Sequence, residues 1–271
     1  MDISTIIGIL LGLILIINGI QISNLGNFFD VPSIIIVIGG TLAGLIASFP
    51  LGTFKEIPKH IKIIANGKKY DPDACIEQMV ELAQTARKNG LLSLEEKSNE
   101  IQEPFFKSSL MMIVDVPDSE KIKEILTEEL MYLDDRHAKS LALYETGEAI
   151  SPAFGMIGTL IGLVNMLKNM DMSGSGESTI GQDMSVALIT TFYGTVLANL
   201  IFGPLAKKLK LRNEEELLYK NIVIEGVLSI QAGDNPKFLR EKLQTYLAFS
   251  KRNKEGAGGD AGGKEGKKGK K

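Results

Sequence analysis

Apolar residues in this chain gather into four long runs arranged as two pairs: residues 3–20 and 33–49, then 149–166 and 184–204. Crossing the hydrocarbon of a bilayer takes about 20 apolar residues of helix, so each run reaches or approaches a span. The polar residues between the runs are unevenly distributed. Residues 1–50 contain no Lys or Arg, and neither does the loop 169–183, whereas basic residues crowd between Lys55 and Lys139 and again after Lys207. Inner-side loops carry the excess of Lys and Arg, so this pattern predicts four crossings with both termini inside. The stretch from Met1 to Ile22 lacks a basic n-region and is followed within about ten residues by a second apolar run, so it is expected to be retained as a span and not cleaved as a signal.

The expected fold class is all-α: an integral membrane protein with four transmembrane helices and a helical cytoplasmic domain. Residues 1–50 form transmembrane helices 1 and 2, which carry no charge along their length and suit packing and lipid contact. Residues 51–148 form the helical insert, 149–206 a transmembrane hairpin, and 207–250 the C-terminal helices. Residues 251–271, Gly and Lys with almost nothing apolar, read as a disordered tail. Gly8 and Gly12 stand four apart on the first span, and Gly40 and Gly44 on the second, spacings that let another helix approach closely. Residues 24–32 read as a short loop, with Pro32 in the first turn of the second span.

Within the insert, Asp71-Pro72-Asp73 opens a helix that Gly90 stops just beyond Arg87 and Lys88. Ser93 with Glu96 has capping-box spacing, and Pro104 and Pro117 punctuate further. Asp118 caps a helix that has no Gly or Pro until Gly147 and whose pattern continues into the third span. Unbroken from 119 to 168, it would be about 75 Å long and would join a soluble lever to the hairpin. Pro204 is expected to end or kink the last span near its inner end. Residues 206–229 read as an amphipathic helix, and Asn235 with Pro236 starts a short one reaching about Phe249.

The formal charge of -3 hides the segregation of basic residues. Cys75 is the single cysteine, so no intramolecular disulfide forms; it fits a reducing compartment and reads as a small helix-face residue. His60 and His137 lack metal-ligand neighbours at suitable spacing and read as ordinary helix-face histidines. There is no P-loop, Gly-rich nucleotide turn or nucleophile elbow, so hydrolysis on this chain drives nothing and no enzymatic role is expected.

Candidate chemistry lies in the hairpin. Pro152, Gly155, Thr159, Gly162 and Met166 fall along one helical stripe, and Thr191, Thr195, Ala198 and Phe202 along another, with Thr190 beside it. These small, hydroxyl-bearing faces either meet each other or face something else; alternatively the hydroxyls bond their own i−4 carbonyls and the glycines only permit close packing. No span has an Asp, Glu, His, Lys or Arg in its middle. Lys168 and Asp183 lie at outer ends and Glu148 at an inner end. Ion sites in membranes usually need an ionisable group, so a conducting version of this chain would need a carboxylate from elsewhere.

The segment Ser151-Pro-Ala-Phe-Gly-Met-Ile-Gly-Thr-Leu-Ile-Gly, the segment Ala187-Leu-Ile-Thr-Thr-Phe-Tyr-Gly-Thr, and Gly203-Pro204 resemble flagellar motor stator proteins of the MotA, PomA and MotP type. The likeness extends to about Phe249. The related ExbB and TolQ proteins share the hairpin but have three spans, so the extra span favours the flagellar branch. The resemblance implies a homo-pentameric ring in the bacterial cytoplasmic membrane, multi-pass with both termini cytoplasmic. It surrounds a dimeric MotB-type partner that supplies the intramembrane Asp. It also implies that Thr159, Thr190, Thr191 and Thr195 line the ion pathway, that Pro152 and Pro204 couple ion passage to movement, and that Arg87 and Glu95 engage the rotor protein FliG. The transported ion is H+ or Na+, with the threonine pattern leaning to a transient Na+ near Thr159 and Thr191; no cofactor, resident metal or nucleic acid is implied. The competing readings are an ExbB/TolQ-like energiser of envelope transport and a non-conducting membrane scaffold.

Overall fold

The computed structural model of the protein describes residues 4–65, 70–172 and 177–247. Among the described residues every regular element is helical. The chain divides into two compact units, one from residues 1–69 and 135–213, the other from 70–134 and 214–271. The expected tail 251–271 lies outside the described residues.

The first unit holds the apolar runs. Among the described residues three helices are long and apolar enough to cross a membrane: Val31–Ser48 and those running through Ser119–Asn169 and Ile180–Gln231. They become four if the pair Ser4–Ile20 and Ile22–Phe28, bent by 96°, counts as one span. Helix Ser4–Ile20 buries none of its residues within this chain, as an apolar helix bordering lipid would. The expected loop 24–32 is instead largely a 3-10 helix, Ile22–Phe28, entered through Gln21 at φ 67°. Its end is pinned by the return helix of the hairpin: the Tyr193 hydroxyl donates to the Phe28 carbonyl, and the Phe28 and Phe192 rings meet edge-on at 5.4 Å. Asp30 then caps Val31–Ser48, accepting from the Ser33 amide at 2.8 Å, with Pro32 in the first turn.

The glycines of the first two spans divide by what they meet. A Cβ on Gly40 would lie 2.3 Å from the Phe154 ring, and one on Gly44 2.9 Å from Ile150, so this face is a slot for side chains of the third span. A Cβ on Gly12 would lie 2.6 Å from Leu200, but one on Gly8 would have nothing within 4 Å.

Asp118 caps the long helix Ser119–Met172, accepting from the amides of Glu120 and Lys121, and the helix continues through Gly147 and Pro152. Residues 119–134 of it belong to the second unit and 135–172 to the first. Pro204 does not end its helix. Glu177–Val196 passes through a π-helical stretch, Leu197–Phe202, into Gly203–Gln231. Proline has no amide hydrogen and its ring crowds the carbonyl four residues back; a π register immediately upstream opens that turn, so the chain stays helical.

His60 departs from the expected helix-face histidine. It is 5 % exposed, and its Nδ1 lies 3.1 Å from the buried Tyr144 hydroxyl. Burial pulls its pKa below the usual 6.5. His137 pairs with Asn213, Nδ1 to Oδ1 at 2.6 Å.

The second unit is a helical bundle around Met79, Phe106, Leu110, Ile122, Leu126, Ile222, Leu239 and Leu243, all under 2 % exposed. Each such side chain contributes about 1.5–3 kcal/mol by leaving water. Asp71 caps Pro72–Asn89, accepting from Asp73 and Ala74, and Gly90 ends that helix at φ 84°. The Ser93 capping box does not form. The Ser93 hydroxyl donates to the Gly90 carbonyl at 2.6 Å inside a 3-10 turn, which leaves the helix Leu94–Ser98 only five residues long. Asn235 caps the last helix as expected, but it runs Pro236–Gln244 and stops short of Phe249. Cys75 is 2 % exposed, and burial pushes its thiol up to about 12, which keeps it an inert part of the core.

Candidate functional site

The hairpin helices touch through glycine. A Cβ on Gly155 would sit 3.0 Å from the Thr190 carbonyl oxygen. On Gly162 it would lie 2.6 Å from the Asp183 carbonyl oxygen, and on Gly194 2.7 Å from that of Ser151. These distances let two backbones meet with no side chain between them. They also decide which hydroxyls converge.

Thr159 and Thr191 are brought together, Oγ1 to Oγ1 at 2.5 Å, and Thr159 also approaches the Ala187 carbonyl oxygen at 2.9 Å. The Ala187 carbonyl is the hub, since the hydroxyls of Thr190 and Thr191 reach it as well, at 3.0 and 3.4 Å. The self-bonding expected of membrane threonines is present too: Thr159 to Gly155, Thr190 to Val186, Thr191 to Ala187 and Thr195 to Thr191. What distinguishes Thr159 and Thr191 is that their oxygens also meet across the helix pair: with one proton each, one hydroxyl donates to the other and the acceptor donates to a carbonyl, on a face where Thr191 stays exposed.

Thr190 turns the other way. It is fully buried, with its side chain against Gly158, where a Cβ would come within 2.4 Å. Thr195 is exposed and bonds only within its own helix, to the carbonyls of Thr191 and Phe192. Pro152 lies at one of the close approaches of the helices, its Cα 3.2 Å from a Cβ built on Gly194. The Glu148 carboxylate lies over Gly203, next to Pro204, at 2.7 Å from where a Cβ would be. At the outer end Asn169 donates to Asp183 at 2.7 Å.

The cluster thus offers two hydroxyls and one carbonyl, oxygen donors suited to a hard cation, but it supplies no negative charge. Among the described residues no group of three His, Cys, Asp or Glu could hold a metal ion. Sequence reasoning missed the Ala187 carbonyl, because a backbone oxygen leaves no mark in the residue pattern.

Arg87 and Glu95 are both exposed in the second unit, at the end of one helix and the start of another, flanking the 3-10 turn Leu91–Ser93. Leu92, at the tip of that turn, is 75 % exposed; sequence reasoning passed over it because a lone Leu in a turn carries no periodic signal.

A model of the MotA/TolQ/ExbB proton channel family matches residues 97–222. Motility protein A of Borreliella burgdorferi is 42 % identical over 249 residues, which cover 91 % of this chain and 94 % of that one. The chain belongs to the motility protein A family. Chemotaxis protein PomA of Vibrio alginolyticus is 37 % identical over 253 residues, 93 % of this chain and 98 % of PomA. Two solved structures have the same fold. The C. jejuni MotAB structure matches with TM-score 0.81 and 28 % identity over 92 % of this chain and 97 % of that one. The flagellar MotAB stator complex of Bacillus subtilis matches with TM-score 0.82 and 30 % identity over 92 % and 98 %. The motility protein A family is one of channel subunits, a non-enzymatic kind of protein.

Proposed function

We propose that this chain is a stator subunit of the bacterial flagellar motor and forms, with a MotB-type partner, an ion channel that converts ion flow into torque. The observation that carries the reading is the oxygen cluster of Thr159, Thr191 and Ala187 on spans that have no carboxylate of their own. Likeness to MotAB complexes along 92 % of the chain supports it.

The physical logic is one of divided labour. An unpaired carboxylate is costly in the membrane interior. The partner helix carries that carboxylate, and each copy of this chain supplies neutral oxygens beside which a cation can neutralise it. Five copies around a partner dimer form the ring, in the cytoplasmic membrane with both termini inside. H+ or Na+ passes between partner and ring past Thr159 and Thr191, with Thr195 further along the same helix and Thr190 holding the pair together from behind. Pro152 beside the Gly194 contact and Pro204 beside the π-helical stretch are the places where the helices yield as the ion moves. Arg87 and Glu95, flanking the exposed Leu92, present charge to the rotor protein FliG.

Reconstitution tests this. In liposomes the chain alone is electrically silent; together with a partner bearing one intramembrane Asp it conducts, and replacing that Asp with Asn abolishes the current. Robust currents from the chain alone refute the reading. Recovery of a TonB-type partner, with normal swimming of a deletion strain, turns it into an energiser of envelope transport.

A further inference from the structure

A groove of about 350 Å³ runs between the first helix and the helix that carries Pro204. Register places it at one end of the first unit. Gly12 meets Leu200, and seven residues further on, about 10 Å of helix on each side, lie Thr5 and Lys207. Both helices end their apolar runs at this level, which the four-crossing reading puts at the inner leaflet. We propose that the groove binds one anionic glycerophospholipid of that leaflet, and the inference rests on that topology.

Three observations converge. At one end of the groove Lys207 and Lys208 lie along one wall and Ser4 and Thr5 along the other, which puts positive charge where a head-group phosphate would sit. Deeper in, Gly8, Ile9 and Leu200 make an apolar floor. Gly8 keeps that floor open: one turn along the same helix a Cβ on Gly12 would meet Leu200, but over Gly8, as over Gly19, there is nothing within 4 Å. Finally, the helix Ile57–Ala65 packs against the first helix and exposes Lys59 and Lys62 beside Ile61 and Ile63. That is the composition of a helix lying in an anionic interface. A zwitterionic lipid would set its own ammonium among these lysines, so the charge selects a phosphatidylglycerol-type head group.

The test uses the complete complex with its partner, reconstituted into phosphatidylcholine bilayers doped with phosphatidylglycerol, and counts retained lipids by native mass spectrometry. Wild type retains phosphatidylglycerol in preference to phosphatidylcholine. Lys207→Gln with Lys208→Gln weakens that retention by about thirty-fold, roughly five-fold for each lysine. Gly8→Leu, which leaves both lysines in place and fills the floor, also displaces the lipid, so the proposal stays testable if the lysine variant fails to assemble. Equal retention of phosphatidylglycerol by wild type and both variants overturns the site; so does retention of neither lipid by wild type, as when a neighbouring copy covers the groove. Ion flux is recorded on the same samples: a wild-type complex that binds lipid but conducts nothing sinks the stator reading and leaves the lipid site standing.

Discussion

Adding one methyl group at Gly194 tests whether the hydroxyl cluster depends on glycine contact. A Cβ there would lie 2.7 Å from the Ser151 carbonyl oxygen and 3.2 Å from the Cα atoms of Pro152 and Gly155, whereas ordinary contact begins near 3.4 Å. The obstacle is backbone on a long continuous helix, so no side-chain rotation relieves it. The helices must part by about 0.7 Å. Overpacking of this kind costs about 1–3 kcal/mol, against which Ala in place of Gly returns about 1 kcal/mol of helix propensity. The net destabilisation is about 0–2 kcal/mol, up to about a thirty-fold fall in the folded ratio. Parting by 0.7 Å also takes the Thr159–Thr191 oxygens from 2.5 to about 3.2 Å, beyond a good hydroxyl hydrogen bond. Gly162→Ala, 2.6 Å from the Asp183 carbonyl oxygen, should behave alike; Gly155→Ala, at 3.0 Å, should be milder; Gly8→Ala, with nothing near it, should be neutral or slightly stabilising. Detergent-induced dissociation of the purified complex ranks the four, with ion flux measured beside it. Gly194→Ala as stable and as conductive as Gly8→Ala would refute the account of the hairpin.

Thr159→Ala and Thr191→Ala should each impair swimming at low sodium while leaving assembly intact, since each removes one oxygen of the cross-helix pair; unchanged speed in both variants removes the sodium reading. Charge reversal at Arg87 and at Glu95 should lower torque on a tethered-cell assay without lowering ion flux, because both are exposed and remote in sequence from the hairpin. Equal loss of both readouts would indicate folding damage instead. For His60, burial depresses the pKa below 6.5, so the unfolded chain takes up the proton more readily than the folded one. The stability that this neutral ring contributes is present above about pH 6.5 and is lost as pH falls towards the folded value. Thermal scans across that window should show wild type losing stability on acidification and His60→Gln losing less; parallel curves would show that the buried ring is not the source.

The sequence by itself determined the apolar spans, the caps at Asp71, Asp118 and Asn235, the stop at Gly90 and the absence of a carboxylate from the hairpin. Each of these is a local property: hydrophobic run length, a side chain reaching an amide two or three residues away, or a residue type that is simply missing. Only the tertiary structure decided which threonines meet. Thr190 and Thr191 are adjacent, yet one is sealed against Gly158 and the other crosses to Thr159, because the rotation of each helix about its axis is set by where the glycines let the backbones touch. The same holds for Ser93, whose hydroxyl finds the Gly90 carbonyl before any helix amide, and for His60, buried on Tyr144 eighty-four residues away. Pro204 shows the limit most plainly. A proline breaks the usual register wherever it falls, but whether the chain bends or takes up a π turn is settled by the packing around it, which residue order alone does not encode.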